Sequence, residues 1–384
     1  MKQPRARVSP LPPCCPAAEH AAEVPPASAE HTVVCYQNEI PTFVAAELDR
    51  LYQNPYASLL KMQLYGSLEG VSTYVVLQAG SITTLYLFRL DGSAIRVLNE
   101  LIRLTQVDLQ RFSDWVFRAI ASAQVIVFKA VRTDTISLAR PLQRHEQSED
   151  IVVSLPATRQ DYRDRLGKST RKGIKRYTNK LLREHPDFVY RILATHELSE
   201  PVIRSIIALA CTRLQGKRKN AGFTESEIQR VVSMCHRYGM VGVASVDGKI
   251  CAGTITYRVG CHYYFQVTGH DAEFDHYSLG NLVSYMALNA CIDEAGVEGH
   301  FLWGEYDFKY ALLGVKRPLH RLLVYRSMRQ QLRHAGLFAR TAMGAWVRQA
   351  RALLRHALRA HRPLNHTVAK LYGRFRPGNS DGLT

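Results

Sequence analysis

The sequence lacks any run of about 18 uncharged apolar residues, so it offers no candidate transmembrane helix. A secretory leader is missing as well. Lys2, Arg5 and Arg7 run into Pro10, Pro12, Pro13 and Pro16, where a signal peptide needs a continuous apolar stretch of about 7–15 residues. No Cys-x-x-Cys spacing occurs among Cys14, Cys15, Cys35, Cys211, Cys235, Cys251, Cys261 and Cys291. That scatter argues against a zinc site or a disulfide framework, and it predicts a reducing compartment and no bound metal. Acidic residues are absent between Asp307 and Asp381, an interval that holds Lys309, Lys316, Arg317, Arg321 and a long series of further arginines. Most of the net charge of +17 therefore belongs to a C-terminal tail. The body of the chain is close to neutral, and nucleic acid is not an expected partner.

What is present suits a folded protein of two or three domains. The 384 residues are 46% hydrophobic, enough to bury a sizeable core. Residues 1–31 are rich in Pro, Ala and Glu and read as a disordered arm. Residues 32–145 form a first α+β unit. It has a strand at Thr32–Tyr36, a helix over Ile40–Tyr52, a hairpin of Thr73–Leu77 with Thr83–Phe88, a helix over Leu109–Ala121 and a strand at Val125–Phe128. Arg140–Asp150 is charged and reads as a connection. Residues 146–327 form a second unit, opening on Ile151–Pro156 and a basic helix over Arg159–Glu184. Helices over Glu200–Leu214 and Glu225–Tyr238 follow, then strands at Val241–Val246, Ile250–Tyr257 and His262–Val267. Asp247-Gly248 marks a two-residue hairpin. A helix over Leu279–Ala295 and a strand at His300–Trp303 complete the order. Residues 328–384 form a basic tail whose apolar positions, from Leu332 to Leu358, recur at helical spacing. The expected class is thus an α+β sandwich with mixed, mostly antiparallel sheets flanked by helices.

Three segments carry chemistry. The first is Asp275-His276-Tyr277-Ser278-Leu279-Gly280-Asn281, where a polar loop enters a helix. Free amides at a helix start suit a pyrophosphate, with Ser278 as cap and Gly280 allowing close approach. An ordinary capped helix with a packing glycine reads the same residues equally well. The second is Trp303-Gly304-Glu305-Tyr306-Asp307-Phe308-Lys309-Tyr310, just after an apolar strand. A carboxylate or tyrosine there can relay a proton, and a lysine can hold an anion or an oxyanion; a self-neutralising solvated loop is the plainer alternative. The third is Lys168, Arg171, Lys172 and Lys175, which share one helix face. They await an anionic partner or are simply solvated.

Together with Ser154-Leu155-Pro156, Asp161-Tyr162 and Leu166–Lys172, the Ser278-x-Gly280 and Gly304-x-Tyr306-x-x-Lys309-Tyr310 motifs resemble the CelD/BcsL group of GNAT acetyltransferases. That group is linked to bacterial cellulose and exopolysaccharide synthesis, and is similar in turn to the Fem aminoacyltransferases with their two tandem GNAT-like units. The resemblance spans about Val33 to Ser327. It implies tandem GNAT-like units, the first degenerate, and a bacterial acyltransferase. Acetyl-CoA or another acyl-CoA would bind at Tyr277, Ser278, Leu279, Gly280 and Asn281. Phe308-Lys309 is similar to the Phe-Lys pair of Fem enzymes, in which the lysine supports the transition state. The loop departs from the usual GNAT pattern in having only Gly280, which leaves aminoacyl-tRNA as an alternative donor. Glu305 and Asp307 are the base candidates, Tyr306 or Tyr310 the proton donor, and Lys309 an oxyanion partner. The implied acceptor is a small molecule or glycan precursor with an amine or hydroxyl. The protein is expected in the cytoplasm, with the tail attaching it to the anionic inner-membrane surface. A non-catalytic polyanion-binding protein on the same scaffold is the alternative from another class.

Overall fold

The computed structural model describes residues 31–216, 222–336 and 339. The expected arm, and the expected tail helices beyond Gly336, lie outside the described residues apart from His31 and Ala339. The chain runs β1 (His31–Tyr36), α1 (Val44–Tyr52), α2 (Leu59–Tyr65), β2 (Val71–Gln78), β3 (Ser81–Asp91), β4 (Ala94–Val97), α3 (Gln106–Ala119) and β5 (Val125–Val131). Three elements intervene: β6 (Leu142–Ser154), α4 (Arg159–Arg165) and α5 (Lys168–Glu184). The first order then returns as β7 (Val189–Ala194), α6 (Glu200–Gly216), α7 (Glu225–Tyr238), β8 (Gly239–Val246), β9 (Lys249–Val259), β10 (His262–His270), α8 (Leu279–Asp293) and β11 (Glu298–His300). Finally come α9 (Asp307–Ala311), β12 (Val315–Tyr325) and α10 (Met328–Arg333).

All twelve strands join one sheet in the order β1-β2-β3-β4-β5-β12-β6-β11-β10-β9-β8-β7. Two pairings are parallel, β4 with β5 and β10 with β11, one in each half; the other pairings are antiparallel. The halves are exchanged at the centre. β6 follows the first half in sequence but pairs with β11, while β12 follows the second half and pairs with β5. The expected boundary at 145/146 therefore falls inside the continuous strand β6.

Local chemistry explains the elements. Thr105 caps α3 by accepting from the Asp108 amide at 3.1 Å, and Leu109, Phe112 and Val116 line its buried side. Phe112 meets Tyr74, Tyr86, Phe88 and Phe128 at centroid distances of 4.8–5.9 Å, an aromatic core for the first half. Asp247 and Gly248 both take left-handed backbone, φ 50° and 73°, as a two-residue hairpin turn requires. In the second half α6 lies close on the sheet, where a Cβ on Gly269 would come within 2.8 Å of the Ala210 nitrogen.

Two expectations need correction. Arg140–Asp150 is no linker, because residues from Leu142 onward form most of the central strand β6. Its charges are met across the strands by β12: Lys316 pairs with Glu146 at 3.1 Å, and Arg317 stands opposite Asp150. The same charges hid β12 from the periodicity reading. The basic helix is also two helices, α4 and α5, parted where buried Leu166 turns extended with ψ 144°. Cys35, Cys211, Cys235, Cys251 and Cys291 are free thiols, whereas Cys261 is disulfide-bonded, which the cysteine spacing did not predict. No helix among the described residues is long and apolar enough to cross a membrane.

Candidate active site

The site begins where two strands part. β10 and β11 are paired only from His262–Glu298 to Tyr264–His300. Past Tyr264, β10 keeps its ladder with β9, through an irregularity between Phe265 and Val267, as far as His270. The chain leaving β11 turns instead toward β6: the Phe301 amide donates to Ile151 O at 2.8 Å, and the Ile151 amide donates to Leu302 O at 3.2 Å. The β11-facing edge of β10 from Phe265 to Gly269 thus has no strand beside it among the described residues. An opening between parallel strands with free backbone groups is a place where an extended ligand can add its own amide bonds.

Three side chains meet at this opening. Tyr56, in the turn between α1 and α2, donates its hydroxyl to Gln266 Oε1 at 2.6 Å and packs edge-on against Trp303 at 5.3 Å. Burial holds the Tyr56 phenol well above its usual range, so it stays a donor. Lys61 lies 5.7 Å from the Tyr56 ring, and burial pushes its amine down to about 7. The sequence pointed to neither Tyr56 nor Lys61, because both come from the first unit. The one local signal, Asn54 accepting from the Tyr56 amide ahead of Pro55, marks only a turn.

Downstream of β10, a 3-10 turn over Ala272–Tyr277 leads into α8. Ser278 sits at the helix start in left-handed backbone, φ 50°, and its side chain makes no cap bond, contrary to expectation. Its hydroxyl meets Tyr177 of α5 instead. The Asn281 and Leu282 amides donate to Ser278 O, at 3.0 and 3.1 Å. The Leu279 and Gly280 amides, one step earlier, have no intrahelical acceptor to turn to. Gly280 has a packing reason: a Cβ there would lie 2.7 Å from His270 Nδ1. His270 is in turn bonded to Asp275 at 2.6 Å, so this contact fixes the turn. Tyr277 is buried, donates to Glu184 at 2.7 Å, and carries Lys180 5.0 Å from its ring.

Of the basic face of α5, Lys168, Lys172 and Lys175 are exposed, and Arg171 is half-buried with its guanidinium donating to Asp164 O at 3.1 Å. Their face points away from the stripe of Ile174, Tyr177 and Leu181 that packs inward. The contacts that reach the Tyr277–Asn281 turn come from Tyr177, Lys180 and Glu184 instead.

Within the segment after β11, Lys309 is buried. Its Nζ donates to the carbonyls of Phe301, Leu302 and Trp303 at 2.8, 3.3 and 2.7 Å. Burial pushes this amine down to about 8, while Glu149 and Asp150 act the other way. Its donors are therefore spent on backbone, and what it holds is the strand that parts from β10. Glu305 accepts from Tyr310 at 2.9 Å and from Lys316 at 3.2 Å. Burial, with Glu305 beside it, pushes the Tyr310 phenol up to about 12. Tyr306 and Phe308 stack at 6.2 Å, and Asp307 is exposed at the first residue of α9. The structure thus joins Glu305 to Tyr310, gives Lys309 a separate task, and places Asp307 on the surface.

Residues 168–310 match the model of an acetyltransferase (GNAT) domain. Among solved structures, the chain is similar to FemX, at 8% identity over 77% of this chain and 99% of that one, with a TM-score of 0.53. It is similar also to a conserved protein of unknown function from Bacteroides thetaiotaomicron, at 13% identity over 76% and 100% of the two chains, with a TM-score of 0.50. A tandem GNAT protein from the clavulanic acid biosynthesis pathway aligns at 11% identity over 77% and 98%, with a TM-score of 0.37. No curated protein matches. At such identities the likeness to solved structures concerns the fold, and the domain match carries the chemistry. The match of residues 168–310 to a GNAT acetyltransferase domain, a class whose co-substrate is acetyl-CoA or another acyl-CoA, supports an acyltransferase as the enzyme class.

Proposed function

We propose that the protein transfers an acyl group, acetyl in the first instance, from acyl-CoA to an amine or hydroxyl of a sugar, envelope or exopolysaccharide precursor, in the manner of the CelD/BcsL group. The observation that carries the reading is the parting of β10 and β11 beside the start of α8. The residues present fit such a donor. The amides of Leu279 and Gly280, with Lys180 alongside, would hold its pyrophosphate, and Tyr277, Ser278 and Asn281 shape that turn. The free edge of β10 would bond the pantetheine arm and present an amide to the acyl oxygen. The donor supplies an activated thioester; the protein's part is to position it, keep water out and move protons.

In this account Lys309 acts by holding the carbonyls of Phe301–Trp303, which keeps the opening in shape. Tyr310, still protonated at neutral pH, gives its proton to the leaving thiolate, and Glu305 orients it. The acceptor's proton goes to Glu305 or Asp307, or to Lys61, whose amine is in part neutral near pH 7. Tyr306 borders the acceptor. The exposed face of Lys168, Arg171, Lys172 and Lys175 takes the anionic part of a glycan precursor, and the basic tail lies on the anionic inner-membrane surface of the cytoplasm.

Aminoacyl transfer of the Fem type is the second reading. It is favoured by a turn whose one glycine is occupied by His270 and not aligned in a glycine-rich loop. Thiol release from acetyl-CoA and longer acyl-CoAs, assayed against amino sugars and nucleotide-linked sugars, decides between them. Acceptor-dependent thiol release supports acyl transfer. Turnover with aminoacyl-tRNA and none with any acyl-CoA would replace it by the second reading.

A further inference from the structure

Along the paired part of β10 and β11, just ahead of the opening, three side chains aim at one point. His262 and Glu298 stand directly opposite each other across the two strands, and His300 lies two residues beyond Glu298 on the same face. His262 Nδ1 and His300 Nε2 are 3.2 Å apart, and each is 3.4 Å from Glu298 Oε2. The three ligand atoms thus form a nearly equilateral triangle. One face of a tetrahedron around an ion bound at about 2.0–2.1 Å has edges of roughly 3.3–3.4 Å. Hydrogen bonding among three surface groups does not in itself require equal edges of that length.

The surroundings fit the same purpose. Asp150 accepts from His300 Nδ1 at 2.7 Å, and both side chains are 3% exposed. That bond fixes the tautomer that turns the Nε2 lone pair into the triangle, as a carboxylate behind a metal-bound histidine does. The His300 ring also stacks on Tyr264, 4.2 Å away and nearly parallel, so it cannot swing. Arg317 grips the carboxylate with both nitrogens, donating to Glu298 Oε1 at 2.6 Å and to Oε2 at 3.0 Å, and Oε2 also faces the histidines. Asp150 and Glu298 are two carboxylates against the one guanidinium of Arg317, so the groups around the imidazoles carry a net negative charge, the sign a dication needs. His262 and Glu298 are 26% and 16% exposed, so the fourth position of the tetrahedron faces solvent.

We infer that His262, Glu298 and His300 form a binding site for a divalent transition-metal ion of the Zn²⁺ type, with Asp150 and Arg317 orienting the ligands and the fourth position open to water or an anion. Two nitrogens and one carboxylate oxygen in a tetrahedral face favour Zn²⁺ over Mg²⁺ or Ca²⁺, which prefer all-oxygen shells. The site adjoins the opening: His262 precedes Gln266 by four strand residues, roughly 13 Å, while His300 stands opposite Tyr264, the last paired residue of β10. The ion would join β10 to β11 where they are zipped, just ahead of the point at which they part. No sequence motif announces it, because the ligands come from two strands separated by a helix.

The test uses the full chain, stripped with a chelator and titrated with Zn²⁺ against a chromophoric competitor, with X-ray absorption on the one-to-one complex. The expected result is one Zn²⁺ per chain, a shell containing two imidazoles, and binding at least tenfold weaker in both His262→Ala and Glu298→Gln. Both side chains are partly exposed, and a melting curve of each metal-free variant shows whether it is folded; His262→Gln replaces a variant that is not. A stripped protein that takes up no stoichiometric Zn²⁺ would overturn the inference, leaving a proton shared among the three groups. So would uptake at undiminished affinity in both variants, since the ion would then sit elsewhere.

Discussion

The two halves of the molecule repeat one topology, yet they treat their parallel strand pair in opposite ways. In the first half, the chain leaving β4 comes back to the continuation of β5. The Leu101 amide donates to Ala130 O, the Arg132 amide to Ile102 O and the Leu104 amide to Arg132 O, each at 2.8 Å. Leu101, Ile102 and Leu104 are buried there, so the protein's own chain fills the place where a ligand could add its amides. In the second half, β10 and the chain leaving β11 separate after three paired residues, and no strand among the described residues of the second unit closes the gap. The first half contributes at a distance, through Tyr56 against Gln266 and Trp303. The same fold is therefore closed by its own chain once and left open once, and a few backbone hydrogen bonds make the difference.

The largest effect is expected from Lys309→Ala. It leaves the Phe301 and Trp303 carbonyls without their donor, while Leu302 O keeps the Ile151 amide, at about 1–3 kcal/mol for each one that stays dry, and activity should fall at least about 100-fold. Thermal melts alongside thiol release measure both. With the native protein, the rate should decline as pH rises through about 8, since the amine then loses a proton and one of its donors. A rate flat from pH 7 to 9 would contradict this role.

Tyr310→Phe comes next. Loss of a proton donor costs about 10²–10⁴-fold in kcat with little change in KM, and stability should hold because the residue is 38% exposed. Ile102→Ser, in the closed half, is expected to destabilise by about 2–4 kcal/mol while leaving the KM for acyl donor as it was. A KM change there would break the contrast between the halves. The smallest change is expected from Lys180→Ala, a few-fold rise in donor KM that shrinks with added salt. Charge reversal at Lys168, Lys172 and Lys175 together should act on the acceptor KM instead.

Much of the architecture was legible. The hairpin at Asp247-Gly248, helices α1, α3, α6, α7 and α8, and strands β8, β9 and β10 follow from hydrophobic period and turn residues, whereas β7 was missed. The central strands β6 and β12 were not, because their charges neutralise one another only across the sheet, as Lys316 does with Glu146. Polar strands of that kind read as linkers until their partner is known. For the candidate site, the Ser278 turn and the Glu305–Tyr310 segment were singled out from local residue types. Tyr56, Lys61 and Gln266 were out of reach, since Tyr56 and Gln266 are 210 residues apart in sequence. Lys309 shows a further limit: the sequence supplies a lysine near an active strand, but only the fold shows its amine bound to three carbonyls.

Hydrogen–deuterium exchange with and without a non-reactive acetyl-CoA analogue tests the central claim most directly. The account predicts protection at residues 265–282 of β10 and the α8 turn, with exchange at 98–105 and 130–132 unchanged. Protection confined to the first half, or absent from 265–282 at saturating analogue, would contradict it.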